Sequence, residues 1–166
     1  MIRKGLLKDQ DDVLKIYDDA KAFIKSYNSP QWQDGYPNIE TFIDDLKNER
    51  LYVYDIDGTA VACASFYHYE KDYEDIYEGN WLTDRTNYMA VHTIATLDSY
   101  RGHGISKQFF DYLFENFEAS SIRIDTHEIN KPMIKMLTKV GFEYCGIVYL
   151  GEKKDKKRLA FERLRK

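Results

Sequence analysis

Cysteine is scarce in this chain of 166 residues. There are two, Cys63 and Cys145, in separate apolar runs, with neither metal-ligand spacing nor a disulfide-scaffold pattern. No apolar run reaches 18 residues, so no membrane-spanning helix is expected. The opening MIRKGLLKDQDD has no long apolar core, so no signal peptide is expected either, and a reduced, cytoplasmic setting is the expectation. Positive charge is in deficit. Twenty-four Lys and Arg face 28 Asp and Glu, for a net charge of −4, and nucleic-acid binding, which wants a basic face, is not expected. Proline is limited to three, and there is no linker, repeat or low-complexity stretch, so residues 1–166 read as one domain.

What the chain does have is apolar periodicity. Hydrophobic residues make up 43% and aromatics 15%, with 14 tyrosines, enough for a compact core and for aromatic cleft walls. Residues 2–7 read as a short first strand. DQDDVLKIYDDAKAFIKSY puts Val13, Ile16, Tyr17, Ala20, Phe23, Ile24 and Tyr27 on one helical stripe, with acids in the first turn where the helix dipole favours them. NSPQWQDGYPN is a loop, and a second helix is predicted over 39–48. RLYVYDIDGTAVACASFYHYE reads as a hairpin turning at Asp57-Gly58. The acidic EKDYEDIYEGNWLTDRTN leads to the strand YMAVHTIATL, then a helix from Gly104 with Ile105, Phe109, Tyr112, Leu113 and Phe117 in register. SIRIDTH is a strand, NKPMIKMLTKVGF a helix with Met133, Met136, Leu137 and Val140 inward, EYCGIVYL a strand, GEKKDKK a charged turn and RLAFERL the last strand. The order β-α-α-β-β-β-α-β-α-β-β specifies an α+β fold on a mixed, mostly antiparallel sheet flanked by helices.

RGHGIS, residues 101–106, stands between a strand and a helix. Glycines at a helix N-terminus let main-chain N–H groups approach an anion closely. Gly102-x-Gly104 begins a dinucleotide fingerprint, and Asp125 ends the next strand about twenty residues on. But Lys107 occupies the third glycine position, four residues separate the glycines from the apolar run, and no second mononucleotide half follows.

The spelling Arg101-x-x-Gly104-x-Ser106 resembles the Gln/Arg-x-x-Gly-x-Gly/Ala signature of the GNAT N-acetyltransferase superfamily, with serine as the last small residue. NKPMIKMLTKVGF resembles that superfamily's N-x-x-A-x-x-L-Y-x-K-x-G-F segment: Asn130, Met136, Lys139, Gly141 and Phe142 fit, and Met133 replaces alanine. The two motifs cover residues 88–150 in the right order and spacing.

The resemblance implies acetyl-CoA as acetyl donor. Its pyrophosphate would lie on Arg101, Gly102, His103, Gly104, Ile105 and Ser106, and its pantetheine arm between splayed strands at about 92–97 and 121–126, pairing with backbone at Ile94, Ala95 and Thr96. Arg101 suits a phosphate contact or a surface salt bridge. Asn130 suits a cofactor contact or a helix N-cap. HTIAT also resembles the H-x-L-A-V of serotonin-type arylalkylamine N-acetyltransferases, which makes His92 the candidate base; a core hydrogen-bonded histidine is the alternative. Alternation places His92 on one face with Ile94 and Thr96. The tyrosine acid of the superfamily falls on Leu137, leaving Tyr144, His127 and Tyr149 as substitutes or an acyl-CoA-binding module without catalysis.

The acceptor, a small-molecule or peptide amine, would meet aromatic walls of Trp32, Tyr36 and Trp81, with Tyr73 and Tyr77 nearby. Asp72, Glu74, Asp75 and Glu78 would attract its charge. Exposed sheet edges leave a homodimer open.

Overall fold

A computed structural model describes residues 1–84, 87–151 and 156–166. The charged turn expected over 151–157 lies largely outside the described residues, as do Arg85 and Thr86 at the end of the acidic segment.

Seven strands form one sheet: β1 Ile2–Lys4, β2 Leu51–Ile56, β3 Thr59–Tyr67, β4 Tyr88–Thr96, β5 Ser121–Thr126, β6 Glu143–Tyr149 and β7 Lys157–Leu164. Their order is β1-β2-β3-β4-β5-β7-β6, and among the described residues β4–β5 is the single parallel pair. Four helices flank it: α1 Gln10–Ser26, α2 Ile39–Lys47, α3 Ile105–Asn116 and α4 Lys131–Lys139. The mixed α+β sheet and element order predicted from periodicity are therefore present.

The first strand is shorter than the 2–7 expected. The Asp9 carboxylate accepts the Leu6 N–H at 2.7 Å and pairs with Arg3 at 2.9 Å, drawing the chain into a turn after Lys4. The hairpin at Asp57-Gly58 forms as the pair demands, both residues with positive φ (51° and 88°), the backbone that matches the twist of the flanking strands.

The helical stripes decide the layering. Val13, Ile16, Tyr17 and Ala20 of α1 and Phe42 of α2 pack with Leu51, Val53, Ala60 and Cys63 on one face. Ile105, Phe109, Phe110 and Leu113 of α3 and Leu137 of α4 pack with Phe66, Met89, Val91, Ile122 and Ile124 on the other. Both faces of the sheet are thus covered, and the chemistry is left to the ends of the strands.

A buried ion pair ties the segment before β4 to this frame. Arg123 and Glu162 are both fully buried, with Nε to Oε2 at 3.0 Å. Glu162 also accepts from Ser121 Oγ (2.5 Å), Thr83 Oγ1 (2.6 Å) and the Leu82 N–H (2.6 Å). The Arg123 guanidinium lies over the rings of Trp81 and Tyr88, at 4.4 and 4.3 Å. Burial raises the Glu162 pKa, but these donors outweigh it and hold the carboxyl below its usual range. Glu162→Leu strands a buried guanidinium and is expected to lower stability by about 3–5 kcal/mol in urea titrations, whereas Arg123→Met with Glu162→Leu recovers most of it. A single mutant as stable as wild type would contradict this.

Candidate active site

β4 and β5 pair only from Tyr88↔Ser121 to Ala90↔Arg123 and then part. β5 stays paired with β7 over its whole length, and β4 remains bonded to β3, so the gap costs neither strand its place in the sheet. Beyond Ala90, the edge of β4 that faces β5 has no strand partner. A cavity of about 1090 Å³ opens there. It is walled by Val91, His92, Thr93, Ile94, Ala95 and Thr96 on one side and by Ile124 and Asp125 on the other.

β4 carries a bulge within this wall. Cys63 pairs with Ala95 and Ser65 with His92, so three steps on β4 oppose two on β3, and Thr93 takes a φ of 49°. Strict alternation therefore fails. Ile94 packs with Val91 against the α3 side of the sheet, whereas His92 meets Tyr67 edge-on at 4.7 Å and Tyr73 at 5.9 Å. The expectation that His92 shares a face with Ile94 is corrected by that extra residue. Both still line the cavity.

At one end the cavity reaches the N-terminus of α3. No side chain caps this helix, and Gly104 at its N-cap has φ 77°, Gly102 φ 80°. A Cβ at either glycine would meet nothing within 4 Å. The glycines are thus required by the left-handed backbone and keep the approach open. The first N–H groups of α3 have no intrahelical partners, and the helix dipole points there. Tyr100, Arg101, Gly102, Gly104, Ile105 and Ser106 line this end, as do Lys107, Lys135 and Lys139. His103 is exposed and does not line it. Arg101 pairs with Asp98 at 2.7 Å and lies 4.2 Å over the Phe23 ring, the surface salt bridge foreseen as its alternative role, while still edging the cavity. These features fit a phosphate-bearing ligand.

The other end is acidic. Glu70, Asp72 and Asp125 line it with His92, Trp32, Tyr36, Tyr67 and Arg158. His92 Nε2 lies 3.4 Å from Glu70 Oε2, an ion-pair distance without hydrogen-bond alignment, and the Nε2 atom is closed to solvent. Burial pushes the imidazole pKa down, but the carboxylates of Glu70, Asp125 and Asp45 outweigh it and hold His92 above its ordinary value. The Glu70 carboxyl, opposed by burial, is held low by the same contact.

Several expected residues stand elsewhere. Trp81 packs against the core and does not line the cavity: its Nε1–H donates to the Tyr73 carbonyl at 2.9 Å, and the Arg123 guanidinium lies over its ring. Tyr73 is buried and donates to Asp125 Oδ2 at 2.5 Å, so both aromatics support an acid of the cavity. Glu74, Asp75 and Glu78 are exposed, and only Asp72 of the four named acids lines the cavity. Tyr144 packs edge-on against Phe161, and Tyr149 against Tyr77, both away from the cavity. His127 is buried, with Nδ1 accepting the Ile129 N–H at 3.1 Å.

Asn130 caps α4, accepting from the Met133 N–H (3.3 Å) and the Tyr27 hydroxyl (2.8 Å) while donating to Gln31 (3.0 Å). It lines the cavity with its amide engaged by the protein, the N-cap reading. Cys145 is a buried thiol pushed up to about 11 by burial, unsuited to nucleophilic work.

Glu70 and Gln31 went unmarked in the sequence. Gln31 Oε1 accepts from the Thr126 hydroxyl, the His127 N–H and Asn130, closing the far end of the gap. Glu70 stands beyond the end of β3, where no periodicity applies, and only its closeness to Asp72 in an acidic run hinted at it.

The comparisons with known proteins agree with this geometry. The chain matches the Acetyltransferase (GNAT) family over residues 13–142. A GNAT-family acetyltransferase structure from Streptococcus agalactiae is 36% identical, with a TM-score of 0.91 over 100% of this chain and 95% of that one. A putative acetyltransferase from Staphylococcus aureus Mu50 is 23% identical with a TM-score of 0.73, over 99% and 98% of the two chains. A ribosomal-protein-alanine N-acetyltransferase from Brucella melitensis is 20% identical with a TM-score of 0.69, over 99% of each chain; these last two bear on the fold alone. No curated protein matches the chain. With the family matched over most of its length, the chain belongs to the GNAT acetyltransferases, whose members generally use acetyl-CoA.

Proposed function

We propose that this chain, folded as one domain over residues 1–166, is an N-acetyltransferase that moves an acetyl group from acetyl-CoA to a primary amine. The acceptor is a small molecule or a lysine side chain, and attack is direct, with both substrates bound. One observation carries the reading: a single cavity joins an uncapped helix N-terminus with a glycine cradle to an unpaired strand edge and a half-buried histidine.

Acetyl-CoA brings the activated acetyl thioester. The N–H groups opening α3 hold its pyrophosphate, and Lys107, Lys135 and Lys139 add cationic charge at the same end. The free edge of β4 at Ile94, Ala95 and Thr96 takes the amide-bearing arm by strand-like pairing. Glu70, Asp72 and Asp125 draw an ammonium to the other end. An aliphatic amine with a pKa of about 10.4 is mostly protonated at neutral pH, so it must lose a proton to attack. The His92 imidazole takes that proton, and Glu70, 3.4 Å from its Nε2, stabilises the imidazolium formed. Trp32 and Tyr36, ring centroids 6.4 Å apart, form the aromatic wall of the acceptor end.

A second reading rests on Leu137. It is fully buried at the position where the superfamily places its tyrosine acid, which suits an acyl-CoA-binding module without turnover. Thiol departure at a pKa of about 8.5 makes that acid dispensable, and the histidine with its carboxylate favours catalysis.

Thermal denaturation with acetyl-CoA, CoA or NADH added separately tests the ligand end: the midpoint should rise with the first two and not with NADH. A rise with NADH alone would overturn the reading. Thiol release from acetyl-CoA should then appear with at least one of tyramine, spermidine and Nα-acetyl-lysine, and drop about 10²-fold or more in His92→Ala. Binding without release for any amine would leave the silent module.

The pH profile supplies an independent check. His92 acts as base only when neutral, and its raised pKa means that activity climbs with pH through a midpoint above the ordinary imidazole value. Glu70→Gln removes the charge that favours the imidazolium, so the midpoint should move to lower pH. A midpoint unchanged in that variant would separate Glu70 from His92.

A further inference from the structure

Thr93 sits in a backbone region that a β-branched residue rarely adopts, φ 49°, immediately after His92. Such a conformation persists only where its surroundings enforce it. The Thr93 hydroxyl lies 2.8 Å from Ser65 Oγ, and Ser65 donates to Asp45 Oδ2 at 2.6 Å. The serine proton is committed to the carboxylate, so Thr93 donates to Ser65. The chain of donors runs from the bulge to α2. All three residues are buried, with exposures of 5%, 0% and 1%.

Asp45 has a second arm. Its Oδ1 accepts the Tyr67 hydroxyl at 3.0 Å, and the Tyr67 ring stands edge-on to His92. One carboxylate therefore grips both the residue that follows His92 and the ring that flanks its imidazole. Asp45 itself does not line the cavity.

We propose that Asp45, through Ser65 and Thr93 on one arm and Tyr67 on the other, is a positioning residue that locks the β4 bulge and aims His92 at the acceptor end. It rests on the acetyl-transfer reading above for its role in catalysis, but not for its geometry. The chain explains why a carboxylate is buried under α2 with its nearest cation, Arg50, at 3.9 Å. It also explains why the strain falls at Thr93: the bulge turns Ile94 to the opposite face and leaves His92 beside Tyr67.

Three variants break the chain at different links. Thr93→Val removes the hydroxyl and keeps the shape, Thr93→Ser keeps the hydroxyl, and Asp45→Asn removes the charge that orders the donors. The first readout is the NMR titration of the His92 imidazole, assigned by its loss in His92→Gln. The charged groups around it are Glu70, Asp125 and Asp45, with Asp72 and Arg158 on the same cavity. In Thr93→Val the imidazole should drift from Glu70, and its midpoint should fall by at least about half a pH unit. Thr93→Ser should restore it.

The second readout is kinetic. Thr93→Val and Asp45→Asn should lose about tenfold or more in kcat with the best amine of the panel, with KM for acetyl-CoA within about twofold of wild type. If Thr93→Val does not fold, Ser65→Ala breaks the same link and should give the same shift. A wild-type titration in variants that have lost the link would overturn the proposal even in an active enzyme. The titration needs no turnover, so a chain that proves unable to acetylate would sink the functional reading and still report whether this link aims His92.

Discussion

The site depends on a parting of two strands that ought to pair. Parallel neighbours in a sheet normally share backbone hydrogen bonds along their length, and an unmet buried N–H or C=O is expensive. Here β4 and β5 pair over three residues and separate. The separation is affordable because each strand has a second partner: β3 for β4, and β7 for all six residues of β5. At the end of β5, the Thr126 hydroxyl and the N–H of the following His127 are met by Gln31, a loop glutamine that reaches across from between α1 and α2. What remains without a strand partner is the edge of β4 beyond Ala90 and the facing edge of β5 beyond Arg123, and both face a cavity able to receive an amide-bearing chain.

The two layers of helices then give the two ends of that cavity different characters. α3 and α4 lie on one face and contribute an uncapped helix start, small residues and lysines. The loop after α1 and the segment around 70–73 contribute aromatics and carboxylates from the other side. A net charge of −4 hides this division, because the whole-chain sum averages a cationic mouth with an acidic pocket. The acids are also braced. Asp125 is held by Tyr73, Tyr73 by Trp81, and Trp81 by the Arg123–Glu162 pair, so the buried ion pair reaches the site through two residues, Trp81 and Tyr73.

Much of this was legible in the sequence, and the boundary is physical. Helices α1 and α3 declared themselves because burial on one face imposes a period, and the hairpin because Asp57-Gly58 suits one turn geometry. RGHGIS was legible because its glycines serve the backbone. His92 could be nominated from its strand and its neighbours, but its orientation could not, since the bulge at Thr93 breaks the alternation on which the argument relied. Trp81 read as a cleft aromatic because composition cannot tell a wall from a strut. Glu70 and Gln31 act from irregular segments, where position follows from tertiary packing and not from any repeat.

The bulge also bears on the role proposed for His92 as base. Burial alone would favour the neutral ring. In this chain the strand turns at Thr93 and leaves the imidazole among carboxylates, close enough to Glu70 that charge overcomes desolvation. The same carboxylates that favour the imidazolium would favour an ammonium in the cavity, so His92 and the proposed cationic acceptor would share one acidic field. Transfer of a proton from amine to imidazole moves positive charge within that field without removing it, which keeps the electrostatic cost of the step small. On the proposed reading, the acidic end serves capture and deprotonation together, with the imidazole held where both charges feel the same carboxylates.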